Sequence, residues 1–451
     1  MTATTSLLEE LNDFDPTVRA QALRLLAECT PATTARSENV NMHLHTFFSY
    51  NAEGWSPSRV AWECRRHGLT AAGIIDFDVL DGLEEFFQAG ELLGLRTCVG
   101  VETRTYYPEF AQYEIDSPGE PGVHYLDGIG FTTMPRPGTP QAETLALYRL
   151  YAQERNAALI ARINPHVPEI ALDYDTDVVP LSPGRCPTER HIIAAYVNKA
   201  QAVLNGPTLV AFWAVILGVS DDVATRLLAD RPSLEEKVRA KLAKRGGLGY
   251  EQPTSKSFPL LEDFYAWVKS CDAIPMESWL DGTSDGEQRA QELLECTMAR
   301  GARAINIIPD RNWNIADPAM QAIKVANLRR IVELANTFHL PINIGTEMNK
   351  LGLPFADDLQ GPILREFKET FRRGALVMVG HCLCARFAGF SYASEAADAE
   401  FPTTAAKNAF FAAVGELPAA TQPLTTRFRA VGCERAYALI RDAAATGHWP
   451  Q

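Results

Sequence analysis

The decamer NMHLHTFFSY, residues 41–50, decides how the rest of the chain is read. His43 and His45 stand one residue apart in an apolar run, and in an extended strand residues i and i+2 share a face. Two imidazoles on one face of a strand end form either an edge for a metal ion or a hydrogen-bonded pair. The spacing alone allows both, so the flanks must choose.

Working outward, VNMHLH (40–45) has the pattern of a strand. It is followed by SPSRVAWECRRHG (56–68), a helix with Ser at its cap, Pro at its first position and Gly past its end. AAGIIDF (71–77) reads as a buried strand, LEEFFQAGELLG (83–94) as a helix, RTCVGVE (96–102) and GVHYLDGIGF (122–131) as strands. Residues 140–270 are mostly helical in pattern, and the strand rhythm then resumes at AIPMESW (273–279), ARAINIIP (302–309), PINIGTE (341–347) and ALVMVGH (375–381). Strands alternating with helices at this spacing predict a parallel sheet or barrel. The expected organisation is an α/β barrel over 39–139 and 271–395, interrupted by a helical insertion at 140–270. An N-terminal arm and linker (1–38) would hold two short helices over 5–29, broken near Pro16, and a linker over 31–39. A helical tail would close the chain at 396–451.

The bulk numbers bound the function. The 451 residues are 46% hydrophobic and 22% charged, the balance of a soluble globular protein. A net charge of −14 argues against general nucleic-acid binding, which needs clustered Lys and Arg. Nine cysteines, an odd number without a C-x-x-C pair, fit reduced thiols better than a disulfide framework. The start has neither a basic nor an apolar signal region, and no apolar run has the length of a membrane span. A cytoplasmic protein with no membrane partner is expected.

Each expected strand ends in a polar residue at its C-terminal edge: His43 and His45, Asp76 and Asp78, Glu102, His124, Glu347 and His381. Barrels build their sites at that edge. Imidazoles and carboxylates gathered there are what a borderline divalent metal requires. Asp76 and Asp78 also suit the capping of a turn. Glu102 closes an apolar strand, where an unpaired carboxylate is costly to bury. His381, beside Cys382 and Cys384, suits either a ligand cluster or a core.

The order NMHLHTFFS, GLTAAGIIDFDVLDGLEEFFQAG, VGVE, VHYLDGIGF resembles the first four motifs of the PHP family, named for polymerase and histidinol phosphatase domains, over residues 40–131. AIPMESW and INIGTEMNK are similar to its later strands. The resemblance implies a distorted (β/α)7 barrel with a helical insertion, usually holding two or three metal ions and hydrolysing phosphate esters. Carried over residue by residue, it implies metal ligation by His43, His45, Glu102, His124 and Glu347. Asn41, Tyr50, Phe77, Trp279 and Asn349 stand where the family has ligands or acidic residues, which reduces the site to one or two ions of Zn, Mn or Fe. His191, in PTERHIIAAY, resembles a G-R-P-H-I-A segment of some members.

The expected function is metal-dependent phosphoester hydrolysis of a small phosphorylated metabolite. Asp76 or Asp78 would orient the attacking water. Arg311, Arg185 or Arg190 would neutralise phosphate, and His191 would approach the substrate. Two other readings are a non-catalytic or repurposed barrel that binds a ligand or protein partner, and a single-metal hydrolase of a non-phosphate bond.

Overall fold

The last strand of the rhythm returns to the first, and that return makes the barrel. In the computed structural model, which describes residues 3–29 and 37–450, seven strands form one sheet in chain order. They are β1 (Val40–Leu44), β2 (Ala71–Phe77), β3 (Thr97–Tyr106), β4 (Val123–Ile129), β5 (Ile274–Trp279), β6 (Ala304–Ile307) and β7 (Ile342–Ile344). Just beyond β7 the backbone pairs with β1. His45 N donates to Glu347 O at 2.9 Å, and Glu347 N donates to His43 O at 2.8 Å. The result is a mixed sheet nearly closed into a barrel, with the two histidines at its seam.

Gly345 makes that seam possible. A Cβ there would lie 2.5 Å from the backbone nitrogen of His43. Gly345→Ala is therefore expected to lower the stability of the chain by about 1–3 kcal/mol, the usual cost of overpacking, and to displace His43. An unchanged denaturation midpoint would contradict this close approach.

One strand departs from the expected parallel sheet. β4 pairs antiparallel with both β3 and β5, while every other neighbouring pair is parallel. A parallel return needs a crossover, usually helical, and the Pro- and Gly-containing stretch 107–122 supplies only turns and one short 3-10 helix. The reversal matters below, because it changes which residues of β4 face inward at the C-terminal edge of the other strands.

Helices α1 (Ala3–Glu10) and α2 (Pro16–Cys29) precede the barrel; of the linker expected over 31–39, residues 31–36 lie outside the described residues. α3 (Pro57–Arg66) follows β1 and starts at Ser56, whose side chain accepts from Arg59 N; α4 (Leu83–Leu93) follows β2. Between β4 and β5 come α5 (Pro140–Ile163), α6 (Glu189–Val203), α7 (Gly206–Leu217), α8 (Asp221–Ala229), α9 (Arg231–Leu242) and α10 (Leu261–Ser270). Ile160, Ile163, Tyr196, Trp213 and Val238 of this segment form an apolar core of their own. Leu145 and Tyr148 of α5, with Phe264 and Trp267 of α10, instead join the barrel's core.

α11 (Ala290–Arg300) follows β5, while α12 (Asp310–Trp313) and α13 (Pro318–Thr337) follow β6. After β7 the chain runs through α14 (Lys368–Ala388), α15 (Glu395–Glu400), α16 (Thr404–Glu416), α17 (Gln422–Val431) and α18 (Cys433–Thr446). The stretch 375–381, expected as a strand, lies inside α14. It is apolar all round because barrel strands cover one side and α16 the other, and a buried helix loses its polar face. Gly380 permits the α16 contact, since a Cβ there would meet Phe411 O at 1.9 Å. Among the described residues no single helix is long and apolar enough to cross a membrane.

Candidate metal centre

β1 carries His43 to the barrel seam, and His45 follows directly after it. β3 brings Glu102 opposite them. Glu102 Oε2 lies 3.6 Å from His43 Nε2 and 3.5 Å from His45 Nε2. All three side chains are buried, and these three facing atoms have no hydrogen-bond partner. Leaving a buried polar atom unsatisfied costs about 1–3 kcal/mol, so three such atoms converging on one point call for a shared partner. Two imidazole nitrogens and one carboxylate oxygen fit a divalent cation of borderline softness.

The far ring nitrogens are held in place. Asn306 Nδ2 lies 3.0 Å from His43 Nδ1, and Asn343 donates to Asn306 Oδ1 at 2.9 Å. Ser49 Oγ lies 3.3 Å from His45 Nδ1 and donates to Asp76 Oδ1 at 2.6 Å. Such outer contacts orient a ligating imidazole. Burial, and next the neighbouring His43, push His45 down to about 3, so its ring is neutral and keeps a lone pair for ligation. Burial pushes Glu102 well above the usual carboxylate range, and the charge of Glu347 adds to the effect. An unpaired buried anion of this kind is what a cation relieves.

Glu347 has a left-handed backbone (φ 61°) and accepts from Arg311 Nη2 at 2.6 Å. Burial alone would raise it, but Arg311, His43 and His45 together hold it at about 2. It is thus ionised beside the histidines, with Arg311 as its present partner. The other expected residues divide. Asp76 spends its oxygens on the loop after β1, accepting from Thr46 N and Thr46 Oγ1, each at 2.7 Å, and from Ser49. These bonds hold the loop after β1, not the turn that follows Asp76 itself. Asp78 (φ 57°) accepts from Thr103 Oγ1 at 2.5 Å and faces Arg155 of α5 at 3.5 Å.

His124 is not at the centre. Its Nδ1 lies 3.0 Å from Asp116 Oδ2 and its Nε2 lies 2.8 Å from Glu277 Oε1, so both nitrogens are taken by buried carboxylates. The antiparallel register explains this placement. Glu102 pairs with Asp127 and Thr105 pairs with His124, and residues three apart on a strand point to opposite faces. The β4 residue directly opposite Glu102, on the same face, is Asp127, which the sequence reading missed. Asp127 accepts from Ser278 Oγ at 2.6 Å, and its Oδ1 is another buried atom without a partner. Burial pushes it up to about 7 against the opposing pull of His43. Only its cross-strand position opposite Glu102 could have signalled it, and that requires the strand direction.

Five residues stand where the resemblance expects ligands or acidic groups, and one of them, Asn41, donates from Nδ2 to Thr346 Oγ1 at 2.8 Å. The Phe77 ring stacks on His45, centroids 5.0 Å apart and 11° from parallel. Trp279 is buried and lies one residue from inward-facing Ser278, on the opposite face of β5. Tyr50 and Asn349 line a cleft of about 1030 Å³ with Arg190 and His191. His191 caps α6, its Nδ1 accepting from Thr188 N at 3.0 Å; burial lowers it to about 4, and its ring meets Tyr50 edge-on at 5.5 Å. Arg190 pairs with Glu236. Arg185 is exposed and outside the cleft wall. His381 is part of the core: Tyr392 N donates to its Nδ1 at 3.1 Å, and its Nε2 lies 2.9 Å from Gly130 O. It does not converge with Cys382 and Cys384 on a ligand cluster.

No protein-family model matches the chain, and no curated protein is similar to it in sequence. Among solved structures it is similar to an amidohydrolase from Chromobacterium violaceum with bound sulfate and no metal. That likeness has 17% identity and a TM-score of 0.49, over 74% of this chain and 96% of that one. It is also similar to a protein from Bifidobacterium adolescentis described as a metal-dependent phosphoesterase, at 18% identity and a TM-score of 0.45, over 75% and 97% of the two chains. The chemistry of the centre stands on its own geometry.

Proposed function

We propose that this chain is a metal-dependent hydrolase of phosphate esters, built on a PHP-type barrel with residues 140–270 as a helical insertion over the site. One observation carries the reading: the unpartnered His43 Nε2, His45 Nε2 and Glu102 Oε2 face one another in a buried site. These three residues would hold one divalent ion, with Glu347 as the next ligand. When bound, such an ion supplies the Lewis acidity that polarises a phosphoryl oxygen and acidifies a water.

The chain's own groups do the rest. Arg311 is part-exposed and touches Glu347, so its guanidinium can turn to an incoming phosphate, whose oxygens it matches in pairs. Asp127, opposite Glu102, has a free oxygen on which a proton can rest. The insertion supports exclusion of water. Arg149 pairs with Asp81 at 3.0 Å and Arg155 with Asp78, which ties α5 to the loop after β2 at the C-terminal edge. Ala152 of α5 and Cys186 also pack against Phe47, Phe48 and Val79.

The test is phosphate release from a panel of phosphorylated metabolites with added Mn²⁺ or Zn²⁺. The wild type is expected to turn over at least one compound, and Arg311→Ala to lower kcat/KM on it about 100-fold, the scale of losing one charged contact to the reacting group. A broad panel giving only the background of the Glu102→Gln variant would favour the non-catalytic barrel.

A further inference from the structure

The cleft beside the centre has a composition that specifies a ligand beyond its phosphate. Its walls come from the loop after β1, from α6 and α9 of the insertion, and from the loop after β7. Four cations line it, Arg190, Arg231, Lys237 and Lys350, against two carboxylates, Glu235 and Glu236. Both carboxylates are already matched, Glu236 by Arg190 and Glu235 by Arg231 Nε at 2.7 Å. Among the described residues neither lysine makes an ion pair, so the cleft keeps two uncommitted positive charges in a chain of net charge −14. A concentration of like charge in a concave wall attracts an anion of opposite sign.

The same cleft has an aromatic wall. Phe14, exposed at 53%, meets Phe47 edge-on at 5.7 Å, and both line it. Tyr50 lies between the Arg190 guanidinium, 5.6 Å from its ring centre, and His191. A large apolar ring left exposed beside unpaired cations offers a stacking surface. The cleft adjoins the centre: Tyr50 is five residues past His45, and Asn349 is two past Glu347.

We infer that the Tyr50–Lys350 cleft binds an anion that carries an aromatic or heteroaromatic ring, the ring against Tyr50 and Phe14 and the negative charge toward Lys237 and Lys350. The inference rests on the hydrolase reading for the cleft being the substrate's, and it adds the class of leaving group. A purely aliphatic phosphate leaves the aromatic wall unused.

Calorimetric titration of the full-length protein with phenylphosphonate, methylphosphonate and benzamidine tests this, since none of them is consumed by phosphoester hydrolysis. Phenylphosphonate is expected to bind about tenfold or more tighter than methylphosphonate, the size of one good ring contact. Tyr50→Ala, with Tyr50→Leu as a second variant in case alanine disturbs the loop, should remove that advantage and leave methylphosphonate unchanged. Lys237→Ala with Lys350→Ala should weaken both phosphonates. Equal affinity for the two phosphonates, or tighter binding of cationic benzamidine, would overturn the inference. The same titration on Glu102→Gln separates the two readings. Ring-dependent binding that survives there, with no ester hydrolysed by the wild type, would sink the hydrolase reading alone. Hydrolysis without ring preference would sink this inference alone.

Discussion

Glu102→Gln and His43→Ala are each expected to leave a folded barrel whose phosphate release has fallen by about 1000-fold or more, because a catalytic ion is worth several kcal/mol of transition-state stabilisation. The fold should survive for a specific reason. Glu102 is a buried carboxylate with an unpartnered oxygen and a strongly raised proton affinity, so without a cation its charge is a cost to the folded chain. Gln has the same shape and removes that cost. Glu102→Gln should therefore melt no lower than metal-stripped wild type while binding no metal. Thermal unfolding alongside phosphate release checks both halves. A variant that retains turnover would remove Glu102 from the chemistry, and one that fails to fold would show that its role is in packing.

His124→Gln should have the opposite profile, with about 3–5 kcal/mol of stability lost and metal content per folded chain unchanged. The imidazole lies between Asp116 and Glu277, all three buried. Burial pushes His124 down, but the two carboxylates override it and raise it well above its ordinary value. The folded chain thus keeps a proton that the unfolded chain releases near pH 6.5. That stabilisation is complete below the unfolded value and is lost as pH rises through the raised folded one. Wild type should lose stability on the alkaline side, and the variant should show less of that slope. Adding Glu277→Gln to His124→Gln should restore part of the loss by removing one of the uncompensated charges. Metal loss at unchanged stability would instead return His124 to the ligand set.

The contrast between these two residues shows what the sequence carries. The strand rhythm up to residue 347, the Ser-Pro start of α3 and the H-x-H pair are local patterns, and the structure has them where the sequence put them. Strand direction is not local. A parallel and an antiparallel β4 have the same alternation, and reversing the strand moved Asp127, not His124, onto the face of Glu102. Residues 375–381 were misread for a related reason. A run of Leu, Val and Met covered on two sides has no polar face from which to tell a helix from a strand, and only the packing of α14 against α16 through Gly380 decides it. The holding contacts of Asn306 and Asn343 are not legible in the sequence, since they join residues 263 and 37 positions apart. Phe77 was legible in part: it has no lone pair where the resemblance expects a histidine, and in the structure its ring stacks on His45.

The most direct test of the central claim is metal stoichiometry. Wild-type protein loaded with Zn²⁺ or Mn²⁺, dialysed thoroughly and measured by elemental analysis, is expected to retain about one ion per chain. One buried group of two imidazoles and a carboxylate brings its donor atoms together among the described residues. His43→Ala should retain none. Three tightly held ions per chain, or none in the wild type, would contradict the account.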